Sequence, residues 1–180
     1  EPFIEVLVAA GAEPVLEHGV LRGEVLGLEV ARVERDGDRW RMAVGVGRHD
    51  REAFALLHGD LPTTEALSRV IDAVGAQRHP SGEHHPLGRL APERWLRHVV
   101  VRRPELIDAT RLEPGAAVDP RSGVGGGSIA ATVGADGRGP LVAACVVGVD
   151  LDAIAAAADA RLTHAPDARL VVVLPERDAH

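Results

Sequence analysis

The chain contains no lysine, and all 20 of its basic residues are arginine. Chemistry that needs a lysine side chain is therefore excluded within it: a Schiff base, a Walker-type phosphate loop, the lysine of a protein kinase. Asparagine and tyrosine are also missing, and Gln77 is the only glutamine. A joint shortage of Lys, Asn, Tyr, Phe and Ile is what codon bias in a GC-rich genome produces, and we read it as that. Two Trp and two Phe leave the core to Val, Leu, Ile and Ala, which suits a sheet covered by helices. Cys145 is alone in an apolar run. It cannot form an internal disulfide and reads as a small buried hydrophobe, in keeping with a reducing cytoplasm. No apolar run is long enough to cross a bilayer, and no basic leader precedes the apolar part of "EPFIEVLVAAGAEP". A start at Glu1 and a stop just after a strand signal suggest a trimmed sequence.

What is present is enough for one globular domain: 180 residues, 46% hydrophobic and 26% charged. The net charge of −7 lacks the basic footprint of a nucleic-acid groove, since Arg102 and Arg103 are followed at once by Glu105 and Asp108. Nucleic acid is disfavoured as a partner.

Along the chain, residues 2–17 fit a short helix or a strand equally well. Val20 to Glu34 reads as one strand, with Leu26, Leu28 and Val30 on one face. Asp36-Gly37 is a turn, and "RWRMAVGVG" alternates cleanly after it, which makes a hairpin. Asp50 is placed to cap the helix "REAFALLH". A second helix spans Pro62 to Gly75 and stops at the glycine. Residues 77–90 form a polar loop, and Pro92 opens a further helix that Pro104 ends. Residues 113–127, rich in Gly and Pro, read as a flexible connector. A second hairpin follows around "ADGRG", then a helix capped by Asp150, then the buried strand "RLVVVLP".

Residues 29–58 and 129–158 align without gaps at nine identities: Ala31, Val33, Asp36, Gly37, Ala43, Val46, Asp50, Ala53 and Ala55 against their partners 100 positions on. The matches fall on turn, strand, cap and helix, which suggests one hairpin–helix unit present twice, at about 20–59 and 128–163. The expected fold is a single α/β domain of the α+β type over 1–180. It has a mixed, largely antiparallel sheet with packed helices, framed by the two repeats.

The groups that could carry chemistry are few. Arg48, His49 and Asp50 close the first apolar run in "GVGRHDR", and Asp150 closes the second in "CVVGVDL". The two aspartates read as helix caps, because the neighbouring His49 is not kept in the second copy. As an alternative, Arg48, His49, Asp50 and Asp150 are the candidate ligand-binding residues. His79, His84 and His85, beside Glu83, are candidate metal ligands, although adjacent histidines point apart and Pro80 and Pro86 stiffen the loop. An exposed polar loop is the favoured reading there. "SGVGGGS" follows a Pro-rich connector and precedes a strand, so it is a linker, not a phosphate loop. No serine sits in a nucleophile elbow. Glu24 and Glu29 read as surface carboxylates at strand edges.

From Ser128 to Pro175 the order of elements resembles the metal-dependent nuclease core of the PD-(D/E)XK type. That resemblance implies a carboxylate on one strand and a Glu-x-Lys on the next. The strands here, "RWRMAVGVG" and "PLVAACVVGV", have neither Glu nor Lys. The sequence therefore leads to a cytoplasmic, non-catalytic interaction or regulatory module. It would have no cofactor and would act through an unknown protein partner or by self-association as a homodimer. A degenerate nuclease-fold hydrolase and a small-molecule binder are the alternatives.

Overall fold

The computed structural model describes residues 2–58, 61–79, 85–116 and 129–178. It is an α+β structure with two four-stranded sheets, where the sequence had pointed to one. The chain divides into two compact units, Glu1–Leu90 and Ala91–His180.

In the first unit, α1 (Pro2–Ala10) is followed by β1 (Glu13–Glu17), β2 (Val20–Val25), β3 (Leu28–Asp36) and β4 (Arg39–Val44), then α2 (Gly47–His58), α3 (Thr63–Gln77) and α4 (Pro86–Arg89). The ambiguous start is thus a helix and then a strand. The four strands form an antiparallel meander in chain order. What read as one strand from Val20 to Glu34 is folded back at Leu26-Gly27, whose φ angles of 49° and 76° are those of a two-residue hairpin turn. A leucine is poorly suited to that conformation. It is held there by Arg78, whose fully buried guanidinium donates from Nε to the Leu26 carbonyl at 2.9 Å. Its Nη1 donates to the carbonyls of Leu87 and Leu90 at 2.6 and 2.7 Å. Gly75, expected to end α3, lies inside it, and the helix runs on to Gln77. One face of the sheet, at Ala31 and Val44, packs on Leu7 of α1 and on Leu67, Val70 and Val74 of α3. Leu7 and Leu67 are completely buried, each contributing about 1.5–3 kcal/mol.

The second unit holds α5 (Pro92–Arg102), a 3₁₀ turn at Pro104–Ile107, β5 (Ala109–Gly115), β6 (Ala130–Asp136), β7 (Gly139–Cys145), α6 (Ala153–His164), β8 (Arg169–Val173) and a 3₁₀ turn at Glu176–Asp178. Strands β5 to β7 are antiparallel, and β8 lies parallel to β7 after the crossover helix α6 that such a pair requires. Strand β5 takes in Glu113 to Gly115, which the sequence had assigned to the connector. Residues 117–127 of that connector lie outside the described residues. The sheet is apolar on both faces. Leu112, Leu141 and Cys145 pack with Val100 of α5 on one side, and Ala131, Ala144 and Val146 pack with Ala153, Ala157 and Ala160 of α6 on the other. Burial pushes the Cys145 thiol up to about 12, so it remains an uncharged packing group. At Gly134 the β5 backbone comes so close that a methyl group would overlap the Arg111 carbonyl.

The two hairpins share a register: Ala31 opposes Val44 and Asp36 opposes Arg39, as Ala131 opposes Ala144 and Asp136 opposes Gly139. Their turns and helices differ. Gly37 has φ 61°, whereas in the second hairpin the positive φ falls on Gly139, the first residue of β7, at 129°. Helix α2 begins at Gly47, but α6 begins at Ala153, six positions later in the alignment. The matching register is local, and the hairpin–helix repeat is not confirmed as a unit.

Candidate functional site

The first sheet turns a charged face away from its apolar one. Between β2 and β3, Arg22 opposes Arg32, Gly23 opposes Ala31 and Glu24 opposes Glu29, so Val30 is the extra residue of a bulge. A bulge interrupts the alternation of side chains. It thereby brings Glu29 and Arg32, three apart in sequence, to one side. There Glu29 Oε1 accepts from Arg32 Nε and from Arg51 Nη1, both at 2.9 Å. Its Oε2 accepts from Arg32 Nη2 at 3.0 Å and lies 3.3 Å from Arg22 Nε. Arg22 Nη1 donates to Glu17 Oε2 at 2.5 Å. The Glu29 carboxylate raises the pKa of Arg32 above its ordinary value. Arg51 reaches this cluster as the fifth residue of α2, so the network also ties that helix to the sheet.

Glu24 and Glu29 are therefore not edge carboxylates, as their sequence suggested. They lie on the two central strands and are only 2% and 5% exposed. Both oxygens of Glu29 are occupied by arginine N–H groups, which is the geometry of a structural ion cluster, not of a cation site.

The other candidates are dispersed. Arg48 is exposed and pairs with Glu52 across one helical turn at 2.8 Å, and its hydrogen bond holds the Glu52 carboxyl below the usual range. His49 is fully exposed, 3.7 Å from the same Glu52. Asp50 does not cap α2 from in front. It sits inside the first turn, and its Oδ2 accepts from the backbone N–H of Val46, four residues back, at 2.6 Å. This satisfies an orphan donor at the helix start from within, in the manner of a capping box. Asp150 does look forward: its Oδ1 accepts from the N–H of Asp152 at 2.8 Å, ahead of α6. Asp50 belongs to the first unit and Asp150 to the second. His85 is the N-cap of α4, accepting from Leu87 N–H at 3.2 Å through Nδ1. His79 is exposed, and His84 lies outside the described residues. Among the described residues no three of His, Cys, Asp and Glu group so as to hold a metal ion, and no helix is long and apolar enough to cross a membrane.

Between residues 128 and 175 the chain forms β6, β7, α6 and β8, that is two strands, a helix and a further strand. Strand β7 is "GPLVAAC", buried along most of its length and without a carboxylate.

One feature lies outside the residues that the sequence singles out. Val149, Leu151 and Ile154 are 97%, 94% and 66% exposed at the end of the second unit where β7 leads into α6. The backbone N–H of Gly148 donates to Asp178 Oδ2 at 2.8 Å, which draws this loop to the stretch after β8. The segment "VDLDAI" carried the signal, an apolar residue at 149, 151 and 154, but the cap reading of Asp150 took account only of the acids between them.

Comparison of the chain with protein-family models, with curated proteins and with solved structures finds no match in any of the three.

Proposed function

We propose that this chain is a non-catalytic interaction module, and that it works through the apolar end of its second unit. The observation that carries the reading is the exposure of Val149, Leu151 and Ile154 within one short segment. Large aliphatic side chains gathered in the open mark a surface that another molecule covers. The charged groups of the first unit support the non-catalytic part of the reading, because Glu29 is saturated by Arg32, Arg51 and Arg22. A carboxylate so held has no oxygen left for a magnesium ion or a proton transfer. We further propose a cytoplasmic setting, which the single, buried Cys145 suits.

A second copy of the chain is the partner to test first, since closed homodimers are the commonest assemblies. Sedimentation equilibrium over a wide concentration range should show reversible self-association of the wild type. The double substitution Val149→Asp and Leu151→Asp should abolish it with an unchanged far-UV circular dichroism spectrum. A wild type that stays monomeric throughout would contradict self-association as the use of this surface. Cleavage of DNA or RNA in magnesium or manganese that follows the protein through purification would contradict the non-catalytic reading.

A further inference from the structure

We propose that the second unit holds a binding site for a small zwitterion of the amino-acid type, with a carboxylate, an ammonium group and a short aliphatic chain. The site is a cavity of about 500 Å³ at the end of the sheet where β5 and β8 begin and β6 turns into β7. It is distinct from the apolar loop at Val149 and Leu151, none of which lines it.

Its walls carry two acids, Asp108 and Asp136, and two bases, Arg138 and Arg169, over an apolar base of Ile107 and Val171. One acid and one base are already committed to each other. Arg169 donates to Asp136 Oδ2 through Nε, at 3.1 Å, and through Nη2. The other oxygen, Oδ1, accepts from the backbone N–H of Arg138 at 2.7 Å. Asp136 is thus filled on both oxygens, and the Arg169 hydrogen bond holds its carboxyl below the usual range, so it stays ionised. The same pair fixes the Arg169 guanidinium in place and leaves its Nη1 group to donate elsewhere.

Neither the Asp108 carboxylate nor the Arg138 guanidinium has a side-chain partner among the described residues. After the internal pair is set aside, the cavity therefore offers one charge of each sign. A simple anion would meet Asp108, and a simple cation would meet Arg138 and Arg169. A zwitterion satisfies both ends at once: its carboxylate on the arginines, its ammonium on Asp108. Ile107 and Val171 belong to the apolar layer beneath α5, and they give an aliphatic side chain a surface to cover.

The test is a titration of the full ¹⁵N-labelled chain, followed by amide chemical shifts, with L-valine, L-leucine, L-isoleucine and L-methionine as separate probes. At least one should produce saturable shifts centred on Asp108, Gly137 and Arg138. For that probe, both its N-acetyl derivative and its amide should bind about tenfold more weakly, having lost one charge each. Arg138→Ala should weaken the amino acid about tenfold with the rest of the spectrum unmoved. Asp108→Asn should remove the preference for the amino acid over its N-acetyl derivative. No saturable shift with any of the four probes would overturn the proposal. So would shifts confined to other regions, or equal binding of the amino acid and its two derivatives. The self-association of the chain, measured separately, tests the docking surface and has no bearing on this outcome.

Discussion

The hairpins β3–β4 and β6–β7 are paired in one register, yet they are buried in opposite ways. Arg32, Glu34 and Arg41 in the first unit stand where Thr132, Gly134 and Leu141 stand in the second. The first three belong to ion pairs, Arg32 with Glu29 and Arg41 with Glu34 at 2.6 Å. The second three line the apolar layer or a close backbone contact, Thr132 fully buried and Leu141 1% exposed. The strand pairing is thus indifferent to what the side chains are. A two-residue turn between the same paired positions sets the register, and the layer stacked on the sheet decides whether a face is ionic or apolar. Buried charge at Glu17, Arg22 and Glu29 is tolerated in the first unit because these groups meet opposite charges, while the buried Arg78 donates to backbone carbonyls.

Substitutions at matching positions should separate the two kinds of face. The largest effect belongs to Glu29→Ala, which leaves Arg22, Arg32 and Arg51 around an absent carboxylate. It should cost about 3–5 kcal/mol in urea unfolding. Thr132→Val, opposite number of Arg32, should cost about 1 kcal/mol or less, since it removes only the long bond from Oγ1 to the Ala143 carbonyl at 3.4 Å. The pair at 34 and 134 should invert the order. Gly134→Ala forces β6 away from the Arg111 carbonyl and should cost about 1–3 kcal/mol. Glu34→Ala removes an exposed ion pair with Arg41 and should cost less than about 1 kcal/mol. Asp50→Ala and Asp150→Ala each lose one hydrogen bond to backbone, worth about 1 kcal/mol or less. Hydrogen exchange should place the first loss at Val46 and the second at Asp152.

The smallest effect is one of pH. The carboxyl of Asp136 titrates lower in the folded chain than in the unfolded one, chiefly because Arg169 donates to it. Its contribution is present above the unfolded value of about 3.9 and is lost as pH falls through the folded value. The acid limb of the thermal stability curve should therefore be less steep below about pH 4 for Asp136→Asn than for the wild type. An identical limb would mean that the pair with Arg169 adds nothing to folding.

Much of the architecture was legible because it depends on local chemistry. Asp36-Gly37 and Asp136-Gly137 both marked real turns, and the spacing of Leu67, Val70 and Val74 marked α3. The hidden turn at Leu26-Gly27 needed a tertiary partner, the buried Arg78, to hold a leucine at positive φ. Strand β5 was hidden by Pro114 and Gly115, which it accommodates at its end on the edge of the sheet. The carboxylates Glu24 and Glu29 stood out in the sequence, but strict alternation places Glu29 and Arg32 on opposite faces. Only the bulge at Val30 reunites them, and Arg51 joins from 22 residues away. A sequence pattern of period two cannot carry either fact.

The most direct test of the ionic face is a double-mutant cycle between Glu29 and Arg51, measured by urea unfolding of the wild type, Glu29→Gln, Arg51→Met and the double variant. If the carboxylate holds α2 to the sheet through the guanidinium, the two losses should be strongly non-additive, with a coupling of about 1 kcal/mol or more. A coupling near zero, with Glu29→Gln as stable as the wild type, would contradict the assignment of Glu29 to a structural cluster.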